Sequence, residues 1–349
     1  MFLRNAWYVV AWDHELPAGK LLSRRVLDEP VLLYRTPDGR AVALADRCCH
    51  RHAPLSLGRL EGDCVRCMYH GLKFDPSGRC VEVPGQSRIP STAAVRSYPV
   101  VERNRWVWLW PGEPNRADAA EIPDTFSLAS PDWRMSPGYM KYDANYRLIL
   151  DNLLDFSHLA FVHPTTLGGT EKLADTRPDV RRLERGVRVE RWLLNVAPAP
   201  FHSKVHSFAG TVDRWWFYDF LVPGILLMHS GAQPTGTGAP QGRHSGALEF
   251  RSCQAVTPAC AETSHYFFAV PRNFALDDAQ IDRSVMEDIS TAFAEDQKII
   301  EAQHRNIDHD QAMLPIGADL ALTQFRRIFD SFVESESGSV ESDVAVSSK

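Results

Sequence analysis

The sequence predicts an α+β protein, an N-terminal all-β domain followed by a larger domain with an antiparallel sheet flanked by helices. Three observations predict it. Short apolar runs separated by Pro/Asp/Gly turns fill the first third of the chain. Two stretches with helical apolar spacing follow, at residues 145–162 and 277–305. Between them strand-like runs recur from residue 188 to 268.

In the first third, residues 31–34 (VLLY) and 41–45 (AVALA) flank Pro37-Asp38-Gly39 as a hairpin. Residues 71–74 and 80–83 flank Asp75-Pro76-Ser77-Gly78 as a second one. An aromatic strand at 105–110 (RWVWLW) is closed by Pro111-Gly112, so the first domain is expected at 1–114. Residues 115–137 are polar and proline-bearing and read as a connector into a second domain at 115–333. Within it, 168–178 reads as a polar loop and 233–246 (QPTGTGAPQGRHSG) as a long Gly/Pro-rich loop, a candidate cap over a pocket. No internal repeat is evident. From Glu334 the chain is polar, and 334–349 is expected to be a disordered tail.

The 349 residues carry a net charge of −6. Glu334, Glu336, Glu341 and Asp343 against Lys349 place half of that in the tail. Such a balance argues against a nucleic-acid partner, which needs a basic face. No apolar run reaches the ~18 residues of a membrane span. The N-terminus lacks a signal-peptide pattern, so a cytoplasmic location is expected. Seven cysteines in a chain of this length do not read as a disulfide framework. In a reducing compartment they stay available to metals.

Residues 48–70 (CCHRHAPLSLGRLEGDCVRCMYH) contain Cys48-x-His50 and Cys67-x-x-His70, sixteen residues apart. A Rieske [2Fe–2S] centre needs this donor set, two thiolates on one iron and two imidazoles on the other. The alternative is a structural zinc site, with Cys64-x-x-Cys67 completed by Cys48 or Cys49. The C-x-H spacing, the Gly71-Leu72 that follows His70 and the strand-rich setting favour the cluster. Cys49, Cys64 and Cys80 are then packed thiols.

Residues 152–163 (NLLDFSHLAFVH) carry the second constellation. Asn152, Asp155 and His158 recur every three residues, so one helix face is expected to carry an amide, a carboxylate and an imidazole. His163 precedes Pro164, which pushes it out of the helical region, so the helix should end near Val162 and turn His163 back towards His158. In the second helix Asp296 falls on the apolar stripe of Val285, Ile289, Ala292, Phe293, Ile299 and Ile300. A buried carboxylate needs a cation or a metal. His158, His163 and Asp296 thus form a candidate 2-His-1-carboxylate site for iron(II), open to O2. Glu295 and Asp288 lie off the stripe and read as solvated. Trp215, Trp216, Phe217 and Phe220 are candidates to line a pocket, as is His265. An anionic ligand would need Arg214, Arg243 or Arg251, which the sequence does not rank. His52, His202, His206, His229 and His244 read as surface or structural.

WYVVAW, CCHRHAPLSLG, CVRCMYHGLKFD, PVVERNRWVWLWPG and NYRLILDNLLDFSHLAFVHP resemble the oxygenase component of Rieske non-haem iron oxygenases, over about residues 2–332. Within that superfamily HPTTLG, QPTGTGAPQG and SHYFFAVPRNFALDD resemble the vanillate O-demethylase and toluenesulfonate methyl-monooxygenase type. The resemblance implies a Rieske domain at 1–114 holding [2Fe–2S] through Cys48, His50, Cys67 and His70, and a catalytic domain at 115–333 with iron(II) on His158, His163 and Asp296. It implies a head-to-tail homotrimer. Asp155 would bridge His158 to a neighbour's cluster ligand, and Asn152 would orient water or ligand. Electrons would come from NAD(P)H through a separate reductase of flavin and 2Fe–2S type, because no G-x-G-x-x-G follows a strand here. The substrate implied is an aromatic acid bearing a methyl or methoxy group. The rival readings are a Rieske electron-transfer protein without oxygenase activity and a zinc-stabilised binding protein.

Overall fold

The computed structural model describes residues 2–168, 170–308 and 310–346, with side chains to Ser337. It divides into two compact units, Met1–Asp124 with Thr257–His265, and Thr125–Val256 with Tyr266–Lys349. The first thus runs ten residues past Pro114. The connector is held there by Trp7 Nε1 donating to the Asp118 carbonyl and by Arg103 donating to the carbonyls of Ala119 and Ile122.

The first unit is built from three small sheets. One has the order β2 (Leu21–Val26), β3 (Glu29–Arg35), β4 (Ala41–Ala45) and β9 (Ser97–Tyr98). Its hairpin turn places Gly39 at φ 91°, where a side chain would be strained. A second sheet runs β5 (Arg59–Glu61), β6 (Cys64–Arg66), β7 (Lys73–Phe74), β8 (Cys80–Glu82). The third pairs β1 (Tyr8–Trp12), β11 (Trp106–Leu109) and β10 (Val100–Arg103). Trp12, Trp106, Trp108 and Trp110 are fully buried along it, and Val107 and Leu109 on the other face of β11 are buried too, which is why this strand is apolar throughout.

The second unit is organised on a seven-stranded sheet. It runs β12 (Gly138–Tyr142), β18 (Ser264–Ala269), β17 (Leu248–Pro258), β16 (Ile225–Pro234), β15 (Val212–Leu221), β14 (Gly186–Val196), β13 (Asp179–Leu183). From β13 to β17 the strands form an antiparallel meander. Side chains alternate between its faces. The helices are α1 (Tyr146–Leu154), α2 (Leu159–Val162), α3 (Glu171–Asp175), α4 (Pro200–Val205), α5 (Ala279–Asn306) and α6 (Leu320–Val346). Asp278 caps α5 by accepting from the amides of Gln280 and Ile281. The buried stripe of α5 is Val285, Ile289, Ala292, Phe293, Asp296 and Ile300. Ile299, expected on that stripe, is half exposed. Among the described residues no helix is long and apolar enough to cross a membrane.

Two expectations differ from the structure. The stretch 145–162 is not one helix. Asp155 leaves the helical region at φ −127°, ψ 105°, and its carboxylate accepts from the Ser157 amide at 2.8 Å. An aspartate that satisfies the amide two residues on offers the chain an alternative to continuing the helix. A single turn at 156–158 and α2 follow. The second difference is at the C-terminus, where α6 continues to Val346 through the segment expected to be disordered. Its N-terminal half is anchored by buried Ala321, Phe325, Ile328 and Phe329, and propagation from a packed turn costs little. No proline interrupts it, and the last residues, 347–349, lie outside the described ones.

Candidate metal centres

In the first unit two loops of matching geometry carry the cysteine–histidine pairs. The Cys48 amide donates to the Ala53 carbonyl at 2.9 Å, and the Cys67 amide donates to the Leu72 carbonyl at 2.8 Å. In return the His52 amide donates to Cys48 (2.9 Å) and the Gly71 amide to Cys67 (3.0 Å). Each loop closes on a left-handed residue, His52 at φ 58° and Gly71 at φ 78°. The turns drive both cysteines inward and both histidines outward. Cys48 and Cys67 are 2% exposed and belong to one apolar cluster with Leu32, Leu55, Val65 and Phe74. His50 and His70 are exposed, with ring centroids 4.5 Å apart. Burial pushes the Cys48 thiol up to about 11, with Cys67 beside it acting in the same direction. A buried thiol this reluctant to ionise, with a second buried thiol beside it, suits a site where iron supplies the positive charge. A single zinc ion would need three or more donors converging on one point. Among the described residues no such group includes Cys48, Cys49, Cys64 or Cys67. All seven cysteines are free thiols, and Cys80 packs in the same apolar cluster.

In the second unit His158, His163 and Asp296 converge, their donor atoms within 4.8 Å of one another. His158 Nε2 lies 3.4 Å and His163 Nε2 3.0 Å from Asp296 Oδ1. The other ring nitrogens are occupied. His158 Nδ1 faces the Asp155 backbone carbonyl at 2.5 Å, and His163 Nδ1 faces Glu295 Oε2 at 2.7 Å. A carbonyl or carboxylate partner requires N–H at Nδ1, which leaves each Nε2 lone pair turned towards Asp296. Three lone-pair atoms aimed at one point fit a cation. Burial opposes charge on Asp296, and positive charge at the imidazole Nε2 atoms offsets it: with protons there His158 and His163 hold the carboxyl down at about 2, and a cation between the three groups would take the place of those protons. Asn152 Nδ2 donates to the same Oδ1 at 3.1 Å.

Local sequence explains the placement. α1 buries Leu148, Ile149, Leu153 and Leu154, each worth about 1.5–3 kcal/mol, and so fixes Asn152. His163 caps α2 at φ −120°, ψ 42°, outside the helical region that the following Pro164 disfavours. The Asp155 carboxylate itself does not touch His158. It is engaged by Ser157, whose hydroxyl donates at 2.6 Å. Glu295 was expected to be solvated, yet it holds His163 and also accepts from Thr166 Oγ1 at 2.9 Å. Being next to a stripe residue put it off the buried face but within reach of the histidine. Asp288, also expected to be solvated, is 14% exposed and pairs with the half-exposed Lys204.

The triad stands in the wall of a cavity that opens to solvent, its empty space counted together with that opening being about 730 Å³. Leu153, Phe156, Leu159, Phe201, Trp216, Met228, Phe250, Val270, Ile289 and Phe293 make it mainly apolar, with polar insertions from Arg214, His202, Ser230, Ser252 and Gln254. Trp215, Phe217 and Phe220 do not line it, because strand alternation turns the first two to the opposite face and buries the third against Phe325. His265 is held by the Arg25 carbonyl in the first unit. Of the three candidate arginines only Arg214 reaches the cavity. Arg251 lies over Trp133, and Arg243 packs against Gly238. The 233–246 loop does not cap it either. His244 of that loop stacks on Trp215 (4.6 Å, 18°) on the far face of the sheet. There His244, His229 and Glu249 form a cluster, with His229 Nε2 2.9 Å from Glu249.

The chain is similar to known proteins along nearly its whole length. Residues 6–99 match the Rieske [2Fe-2S] domain, and residues 142–335 match the vanillate O-demethylase oxygenase C-terminal domain. The chain belongs to this family of Rieske oxygenases. The iron–sulfur subunit of the toluene-4-sulfonate monooxygenase system of Comamonas testosteroni is 51% identical, over 97% of this chain and 99% of that one. A vanillate O-demethylase oxygenase subunit from Pseudomonas sp. strain HR199 is 33% identical over 96% of each. Dicamba monooxygenase bound to 3,6-dichlorosalicylic acid superposes with a TM-score of 0.90 at 34% identity, covering 96% of this chain and 99% of that one. The buried thiols with outward histidines, and the aligned lone pairs of the triad, fit the cofactors of this family.

Proposed function

We propose that the protein is the terminal oxygenase component of a two-component monooxygenase, hydroxylating a methyl or methoxy group of an aromatic acid. The observation that carries this is the triad. His158, His163 and Asp296 present three donors, each oriented by a second partner, in the wall of an apolar cavity large enough for a substituted benzene. A pure electron carrier has no use for such a site. Relatives are named for toluene-4-sulfonate and vanillate, a methyl- and a methoxy-bearing aromatic acid, and the 51% identity favours the methyl substrate.

Cys48, His50, Cys67 and His70 would hold a [2Fe–2S] cluster, and His158, His163 and Asp296 a mononuclear iron(II). Bound there, these groups supply single-electron delivery and O2 activation. The net reaction consumes one O2, two electrons and two protons per methyl group, giving CH2OH and one water. The chain's own residues do the rest. Glu295 and the Asp155 carbonyl fix the two imidazoles. Asn152 anchors one Asp296 oxygen. The cavity wall excludes water and aims the methyl group. On a methoxy substrate the same step leaves a hemiacetal that releases formaldehyde.

Electrons come from NAD(P)H through a separate reductase of flavin and 2Fe–2S type, and the chains assemble as a head-to-tail homotrimer. In that assembly the half-buried Asp155 carboxylate, with lone pairs beyond those Ser157 uses, bridges towards His70 of the adjoining chain. A cytoplasmic location suits seven free thiols. Oxygen uptake with methyl- and methoxy-substituted benzoates and sulfonates tests the reading. The expected result is 4-hydroxymethylbenzenesulfonate from 4-toluenesulfonate, and about three irons per chain. Two irons per chain and no coupled oxygen uptake would establish an electron carrier instead.

A further inference from the structure

Arg214 is a cation with no anion beside it among the described residues. It sits on β15 facing the cavity, 3% exposed. Nη1 donates to the Gly168 carbonyl at 3.1 Å, Nη2 points at the Leu167 carbonyl at 3.5 Å, and the guanidinium lies over Trp216 at 4.7 Å. Nε is buried without a partner, and among the described residues no carboxylate pairs with the group. Beside it in the cavity wall, His202 of α4 is 6% exposed and its Nδ1 is also buried without a partner. Burial lowers the Arg214 pKa only to about 10, so the charge persists at neutral pH. Burial, with Arg214 next to it, pushes His202 well below the ordinary histidine range and leaves it a neutral imidazole. An uncompensated buried cation is costly, and a protein retains one where something anionic completes it.

We infer that Arg214 and His202 form an anion subsite of the cavity, receiving the sulfonate or carboxylate of the aromatic substrate while the ring lies among Phe201, Trp216 and Phe250. The inference rests on the oxygenase reading and names the substrate class for that site. Charge and aromatic surface come together here. A planar guanidinium suits a two-oxygen anion, and the neutral imidazole adds one N–H donor or one acceptor. The triad lines the same cavity, so an acid anchored at Arg214 is held by one end while its substituent is presented to the proposed iron. A neutral arene would leave the arginine unpaired, and the site would reject it as a polar site rejects a ligand lacking its partner group.

Binding to the intact holoenzyme tests this without turnover. Calorimetric titration with 4-toluenesulfonate is compared with 4-toluenesulfonamide, its uncharged analogue. The expected outcome is at least a tenfold preference for the anion, and equal affinities would overturn the subsite. In Arg214→Gln the sulfonate should bind on the order of 100-fold more weakly, with sulfonamide binding changed little. Retention of sulfonate affinity within threefold of wild type overturns the proposal. The melting temperature separates recognition from scaffolding. Removing an unpaired buried charge should leave ligand-free Arg214→Gln at least as stable as wild type, whereas a purely structural arginine would lower it. The two readings fail separately. Tight, charge-dependent binding without oxygenation removes the oxygenase reading and leaves the subsite. Oxygenation with no preference for the anion does the reverse.

Discussion

Each histidine of the proposed iron site is oriented through the nitrogen that would not touch the metal. For His158 the partner is a backbone carbonyl, for His163 it is the Glu295 carboxylate. The two arrangements differ in consequence. A backbone carbonyl cannot be removed by substitution, and a neutral acceptor polarises the ring modestly. A carboxylate raises ligand basicity more strongly, and Glu295 is itself steadied by Thr166. Glu295→Gln should therefore keep the fold and the Rieske cluster spectrum but weaken mononuclear iron binding roughly 10–100-fold. Competitive chelation followed by metal analysis measures this, and iron retention equal to wild type would refute a supporting role for Glu295. Asp296→Asn should abolish iron binding at the same site, because it replaces a donor.

At the scale of elements, the two cluster loops are alike in hydrogen bonding and unlike in sequence. Both need a left-handed residue four positions past the cysteine, and one uses glycine where the other uses histidine. Gly71 also has no room, since a Cβ there would meet Pro84 at 2.7 Å. Gly71→Ala should thus lower stability and the yield of cluster-loaded protein. His52→Gly should be tolerated, because the strain of a side chain in that region offsets the entropy that glycine adds to the unfolded chain. Thermal melts with cluster absorbance compare the two, and equal losses would show that the loops do not share a geometry. The motif was readable because donor chemistry is written in residue type and spacing. Asp296 was readable because a carboxylate on an apolar stripe is an anomaly that periodicity exposes. What spacing could not show was the helix break at Asp155, since an Asx interaction competes with a helical turn by local geometry alone. Nor could it show Glu295, whose role depends on which helix lies opposite, or which of three arginines faces the cavity. That choice follows from strand register, which places Arg214 with Trp216 on one face and Arg251 with Glu249 on the other.

At the scale of the whole molecule, the two donor sets belong to different units of the chain, Cys48 to His70 in the first and His158 to Asp296 in the second. Oxygenation needs electrons to pass between them. In the proposed head-to-tail ring each cluster serves the iron of the adjoining chain, and a heterologous interface repeated around a closed ring gives every iron one donor. This has a consequence that single variants do not test. Cys48→Ser should lack the cluster and keep the iron site. Asp296→Asn should keep the cluster and lack the iron. Each should be inactive alone. Co-expressed with different affinity tags and purified through both, the mixed oligomers should recover activity. A mixed trimer of either composition has one of its three cluster-to-iron interfaces with both partners intact, so about a third of wild-type activity is expected. If electrons instead passed within one chain, no mixed oligomer would contain a competent path. Mixed oligomers of confirmed composition that remain inactive would therefore place the transfer inside the chain, and the role proposed for Asp155 as a bridge to a neighbour would fall with it.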